Sequence, residues 1–262
     1  MDKGEGSSGA GRPRALVLRA PGINCERETA RACAAAGMDA EIVALGQLAG
    51  DPRRLFAYGL LVLPGGFAHG DYLGAGALLA AELYSTLGAT LAHFVEDGRL
   101  VLGICNGFQA LARLGLLPDV ALAPNAQGLF ECRWITLRAE QASPCVFTRG
   151  LDLLDLPVAH GEGRLVPRDA ATLARLEALG CVALRYATPD GAGSLGYPAN
   201  PNGSVGAIAG LCNTRGTVLG LMPHPERAAL PEQSHLDHRR QGLRLFRNAA
   251  AYLRQREAAG VA

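Results

Sequence analysis

The chain has 262 residues, 49% hydrophobic and 19% charged, a composition that excludes disorder and allows one sizeable α/β domain. Its 25 basic and 24 acidic residues leave a net charge of +1, which argues against a general nucleic-acid or acidic-membrane binder. The 7 cysteines form no CxxC pair, so neither a disulfide framework nor a metal site has spacing support, and a cytoplasmic location is expected.

Residues 1–13 are Gly/Ser-rich and read as a flexible tail without the apolar core of a secretory signal. Ala15–Arg19 reads as a buried strand, Glu26–Gly37 as a helix closed by glycine, and Ala40–Ala44 as a second strand. Gly59–Leu63 is a third strand and runs directly into Pro64-Gly65-Gly66-Phe67. Ala77–Glu96 has helical composition, with a break expected near Gly88. Leu100–Ile104 is a fourth strand, followed by a helix over Asn106–Leu114. This alternation predicts βαβ units, hence an α/β fold with an open, mostly parallel central sheet flanked by helices. Further on, Leu129–Arg138, Cys181–Tyr186 and Val218–Met222 read as strands joined by longer loops. Gly191–Thr214, rich in Gly, Pro and Asn, reads as loop rather than membrane span, and Gln241–Leu253 as a closing amphipathic helix. With no repeat and no linker, residues 14–262 are expected to form a single domain.

The segment Arg99–Gln109, RLVLGICNGFQ, carries the most chemistry. A buried strand enters Gly103-Ile104-Cys105-Asn106-Gly107 and a helix leaves it, the strand–turn–helix order of a nucleophile elbow with cysteine in place of serine. The helix N-terminus favours negative charge on the sulfur, and the carboxyl end of a parallel strand is where open α/β sheets carry their sites. A buried structural cysteine in a Gly-flanked turn is the alternative.

A thiol acyl-transfer site also needs a base and oxyanion donors. Of six histidines, His235 and His238 lie in a charged segment and read as solvated, while His69 and His93 have ordinary loop or helix contexts. His224, in MPHPER after an apolar strand, has Glu226 two residues on; in an extended segment both point to one side, so Glu226 orients the base. A rigid turn with an exposed histidine fits the same residues. Oxyanion donors are expected from the Gly65-Gly66 turn and from the Asn106 N–H. Two glycines reorient at little steric cost, so this turn is also expected to respond to a partner.

PGG near 65, GICNGFQ around 105 and PHPE at 224 together resemble the class I, triad-type glutamine amidotransferases. APGINCE (20–26), GDYLGAGA (70–77), LFECRW (129–134), AHGEGR (159–164), YPANPNGS (197–204) and MPHPER (222–227) resemble, more narrowly, the amidotransferase subunits of phosphoribosylformylglycinamidine synthase in purine synthesis. The resemblance runs from about Arg14 to the C-terminal helix. It implies a Cys105–His224–Glu226 triad, Gly65 and Gly66 as the oxyanion turn, and Gln109 as a glutamine-binding residue, although Gln109 also reads as a polar cap. It further implies that the loop of His160 and Gly161 holds the amino-acid end of glutamine. The implied reaction is glutamine hydrolysis, with ammonia passed to a separate ATP- and magnesium-using synthetase subunit and a small bridging subunit in the complex. This chain itself would carry no cofactor or metal. The family commonly has arginine where Gly74 stands, which puts interface geometry in doubt. A stand-alone cysteine hydrolase would share the elbow without needing Gln109 or AHGEGR; a non-catalytic sensor would have little use for both His224 and Glu226.

Overall fold

The computed structural model describes residues 11–193, 196–233 and 241–260. The strands are β1 (Arg14–Arg19), β2 (Asp39–Ala44), β3 (Leu60–Leu63), β4 (Leu100–Ile104), β5 (Val120–Pro124), β6 (Glu131–Ala139), β7 (Leu153–His160), β8 (Glu162–Pro167), β9 (Val182–Ala187), β10 (Ile208–Cys212) and β11 (Val218–Leu221). The helices are α1 (Glu26–Ala35), α2 (Leu45–Ala49), α3 (Ala77–Glu96), α4 (Asn106–Arg113), α5 (Ala170–Ala178) and α6 (Gly242–Ala258).

The short apolar runs near the N-terminus and around residue 100 are central strands because nothing in them wants water: every residue of β3, β4 and β11 is buried. They sit within a nine-stranded sheet of order β2-β1-β3-β4-β11-β10-β9-β6-β7. The expected open sheet is present: β2, β1, β3, β4 and β11 are mutually parallel, and the last four strands extend it antiparallel. Leu63 pairs with Gly103 and Leu221 with Ile104, so the carboxyl ends of β3, β4 and β11 finish side by side. A separate antiparallel pair, β5–β8, stands beside the sheet.

Several local expectations are corrected. The helix over 77–96 has no break at Gly88, because Leu79, Leu83, Leu87 and Leu91 bury one continuous stripe, which outweighs a helical glycine's cost of about 1 kcal/mol. That stripe makes α3, although long and apolar enough to cross a membrane, a helix packed onto the fold. The stretch 191–214 is not all loop: it contains β10, whose five residues are all buried. Leu129 and Phe130 fall outside β6 and are exposed. The strands β5, β7 and β8 and the helix α5 had no counterpart in the sequence reading. In β7 and β8 buried and half-buried residues alternate, which leaves little apolar contrast. The start of α5 did carry a signal, the Asp169 carboxylate accepting from the Thr172 N–H at 2.7 Å. Residues 1–10 of the expected tail, His235 and His238 lie outside the described residues.

The contact that sets the helix after the fourth strand is a steric one. A Cβ on Gly107 would lie 1.9 Å from the Leu63 carbonyl oxygen. Only glycine lets the first turn of α4 rest on the end of β3. Gly107→Ala is expected to destabilise the protein by about 3 kcal/mol, the upper range for overpacking against backbone, read as a lower urea midpoint at unchanged m-value.

Candidate active site

Three neighbouring strand ends supply the site. At the end of β4, Cys105 adopts φ 51°, ψ −106°, a strained geometry for a side-chain-bearing residue, and its N–H is tied to the Leu221 carbonyl at 2.8 Å. The positive φ is thus the cysteine's own. The flanking glycines are needed for close approach: a Cβ on Gly103 would stand 2.7 Å from the Gly107 oxygen.

Beyond β11, the His224 N–H donates to the Pro157 carbonyl of β7 at 2.8 Å. Its Nδ1 and the Glu226 Oε1 are 2.6 Å apart, and both side chains are essentially buried. The pairing arises from a turn rather than the extended segment expected, since Pro225–Ala228 form one turn of 3-10 helix that brings Glu226 back under the ring. Burial disfavours the imidazolium, but the Glu226 carboxylate, with the sulfurs of Cys105 and Cys25 beside the ring, outweighs it and holds His224 well above the usual histidine range. Among the described residues the ring's Nε2 has no hydrogen-bond partner.

Beyond β3, Pro21–Cys25 pairs with the Gly65–Phe67 turn. The Phe67 N–H donates to Gly22 O, and the N–H groups of Asn24 and Cys25 reach Gly65 O at 3.4 and 3.3 Å. In this antiparallel pattern the N–H of Gly66 points away from that loop. Gly66 lines a cavity of about 150 Å³ together with Cys105, Gln109, His160, Gly161 and Glu162. In this chain alone the Gly65–Phe67 turn is held by these backbone hydrogen bonds.

His160 is buried, and its Nδ1 lies 3.0 Å from Asn125 Oδ1. The Asn125 Nδ2 donates to the carbonyls of Leu129 and His160, so its oxygen must face the imidazole and His160 carries its proton on Nδ1. Burial, and then the charge on His224, push His160 down to about 4. Its Nε2 lone pair has no partner among the described residues. The Gln109 amide donates to Glu162 O at 2.6 Å and accepts from Asn106 Nδ2 at 2.9 Å, so it spans from α4 to β8 on the cavity wall. Sequence reading missed Asn125, Asp71 and Cys25. Asp71 has φ 54°, accepts from Asn106 Nδ2 at 2.9 Å, and is raised in pKa by burial against its hydrogen bonds. Asp71 and Cys25 lay in the GDYLGAGA and APGINCE motifs without a role of their own; Asn125 lay in no motif and had no signal. The place a side chain on Gly74 would fill is taken by the Arg113 guanidinium, 2.8 Å from such a Cβ. A ring nitrogen of His224, a Glu226 oxygen and Cys25 Sγ lie within 4.8 Å of one another, but an Arg227 nitrogen 3.0 Å from the sulfur already supplies the cation a metal would bring.

An open α/β sheet with a cysteine elbow and a backbone donor on one cavity, and a carboxylate-held histidine packed beside the cysteine, is the architecture of a glutamine amidotransferase. A family model described as the CobB/CobQ-like glutamine amidotransferase domain matches residues 12–253. The phosphoribosylformylglycinamidine synthase subunit PurQ of Dehalococcoides mccartyi is 41% identical over 255 residues, 92% of this chain and 98% of that protein. The PurQ subunit of Archaeoglobus fulgidus is 40% identical over 264 residues, covering 92% and 97%. A chain in the solved structure of PurLQS from Thermotoga maritima superposes with TM-score 0.73 at 35% identity, covering 92% of this chain and 99% of that one. The chain belongs to the glutamine amidotransferase family, within the group of phosphoribosylformylglycinamidine synthase subunits PurQ.

The environment of His160 gives a pH signature. Its contribution to stability is fully present above about pH 6.5, where folded and unfolded chains both hold a neutral ring. It is lost as the pH falls toward 4, because only the unfolded chain takes up the proton there. The stability gap between wild type and His160→Gln is expected to close by up to about 3 kcal/mol from pH 7 to pH 4. Parallel pH profiles of the urea midpoint for the two proteins would refute this.

Proposed function

We propose that the chain is a glutaminase subunit that hydrolyses glutamine through Cys105, His224 and Glu226 and delivers the ammonia to an ATP-dependent synthetase making phosphoribosylformylglycinamidine. The observation that carries this is that Cys105 and Gly66 line one cavity while the Glu226-held imidazole packs beside Cys105 at Gly65, where a Cβ would stand 2.7 Å from His224 Cε1 and 3.4 Å from Cys105 Cβ. Cys105, its thiol proton passed to His224, attacks the side-chain amide carbonyl of glutamine as the thiolate. The N–H groups of Gly66 and Asn106 stabilise the oxyanion. His224, held in its protonated form by Glu226, gives a proton to the departing ammonia, and then activates the water that cleaves the γ-glutamyl thioester. Asp71 and Glu162 bring negative charge to the cavity wall, which suits the α-ammonium of glutamine; Gln109, His160 and Gly161 complete that wall. ATP and magnesium belong to the synthetase.

The mouth of the cavity is rimmed by groups that a free protein gains nothing by exposing. Phe67, 48% exposed, and Phe130, 53%, line it, and the adjoining chain leaves Tyr72, Leu73 and Leu129 exposed as well. This apolar rim is suited to docking the synthetase, so that ammonia leaves into a closed interface. A small bridging subunit completes the complex in this reading, and the cytoplasm is its compartment.

In the reconstituted complex, Cys105→Ala is expected to lower glutamine-dependent synthesis by about a thousandfold or more while leaving synthesis from ammonium salts intact. A glutamine-mimicking electrophile should label Cys105 ahead of the other cysteines, as peptide mapping would show. Glutamine-dependent turnover in the alanine variant would overturn the assignment. Glu226→Gln should lose at least about tenfold less glutaminase activity than His224→Ala, because Glu226 orients the base without carrying the transferred proton. Initial glutamine hydrolysis rates on both variants, with folding checked by circular dichroism, test this.

A further inference from the structure

Cys25 takes no part in the reaction as written, yet it lies at its centre. It caps the N-terminus of α1 and has no exposed surface. Its sulfur lies within 4.8 Å of a ring nitrogen of His224 and an oxygen of Glu226. The Arg227 Nη2 donates to that sulfur at 3.0 Å, and Glu28 on α1 lies 3.9 Å from the Arg227 Nε. The position a Cβ on Gly65 would occupy is 3.4 Å from Cys25 Sγ, 3.4 Å from Cys105 Cβ and 2.7 Å from His224 Cε1. The two cysteines and the imidazole are therefore packed around one point, and only a residue without a side chain fits between them.

This packing has a mechanical and an electrostatic side. An imidazole held at a single nitrogen by Glu226 can still pivot about that bond. A buried sulfur against the same pair, itself fixed by Arg227, removes that freedom. Arg227 is kept charged, against its own burial, by Cys25, Glu226 and Glu28. The groups facing His224 are then Glu226 and Arg227 on its own turn, Cys25 before α1, Cys105 after β4 and His160 at the end of β7, with Glu28 acting through Arg227.

We propose that Cys25 is a positioning residue of the triad, whose sulfur, anchored by Arg227, fixes the His224 imidazolium that faces Cys105. The proposal rests on the reading of Cys105 and His224 as nucleophile and base. It assigns a role to the cysteine of the APGINCE segment. Serine at this position would keep an acceptor for Arg227 on a shorter bond, and alanine would leave the guanidinium and the ring without it.

The test is glutamine hydrolysis by the full chain with its synthetase, measured across pH for wild type, Cys25→Ala, Cys25→Ser and Cys33→Ala. Cys33 is a second buried cysteine on α1 and controls for packing of that helix. Cys25→Ala is expected to lower kcat about tenfold with KM within about twofold. Losing a group that favours the imidazolium also moves the alkaline limb of kcat/KM down by about one pH unit. Cys25→Ser is expected to recover at least about threefold of the lost kcat, and Cys33→Ala to match wild type in kcat and in the alkaline limb. If Cys25→Ala does not fold, the same shift of the alkaline limb, in part, is required of Cys25→Ser. Wild-type kcat and an unmoved limb in the Cys25 variants of an active complex overturn the role of Cys25 alone. A wild-type complex that neither hydrolyses glutamine nor is labelled at Cys105 overturns the triad, and this role with it.

Discussion

The close seating of α4 on the end of β3 is the constraint from which the site follows. With the Gly107 position pressed to the Leu63 carbonyl, the chain leaving β4 has no room for a gradual turn. It must reverse within one residue, and that residue is Cys105, in a left-handed conformation. The sulfur is thereby lifted out of the sheet where β3 and β11 also end. The strain at Cys105 is held by burial on every side and by the bond from its N–H to β11.

Two imidazoles share this small volume and are driven in opposite directions. Both are buried, but only His224 has a carboxylate, which together with the sulfurs of Cys105 and Cys25 favours its charged form. His160 meets a neutral amide and a neighbouring positive charge, so it stays neutral. Two like groups with separated ionisation suit the proposed reaction, in which one moves a proton and the other only shapes the cavity. The buried His224–Glu226 pair would be costly as a pure stability element, with Glu226 Oε2 left without a partner among the described residues.

What could be read from the sequence was what lies within a few neighbouring residues. The elbow, the Pro-Gly-Gly turn and Pro-His-Pro-Glu are compact because each builds one backbone feature, and the parallel strands were legible because full burial removes polar residues from the run. The antiparallel half was harder. The buried–half-buried alternation of β7 and β8 differs little in apolar content from a loop, and β10 was hidden among glycines and asparagines. Contacts made only in space were not legible at all: Asn125 meets His160 across 35 positions, and Arg227 meets Cys25 across 202. The Glu226 pairing was anticipated but its backbone route was not, since a proline can begin a 3-10 turn as readily as it prolongs an extended chain.

The outermost ladder of the sheet acts as a ruler for the reaction centre. β6 and β7 pair without a shift from Glu131–His160 to Arg138–Leu153. From the end of β7 come the Pro157 carbonyl that anchors His224, the Ala159 carbonyl 3.8 Å from the Cys105 sulfur, and His160 itself. A slip of one residue would turn His160 to the opposite face and carry the anchoring carbonyl about 3.4 Å along the strand. The connection over residues 140–152 stands outside that ladder but is packed into the core through Cys145, Val146, Phe147 and Leu151, so a change of its length is felt in the core, whereas an insertion or deletion inside the paired strands would displace the His224 imidazole itself.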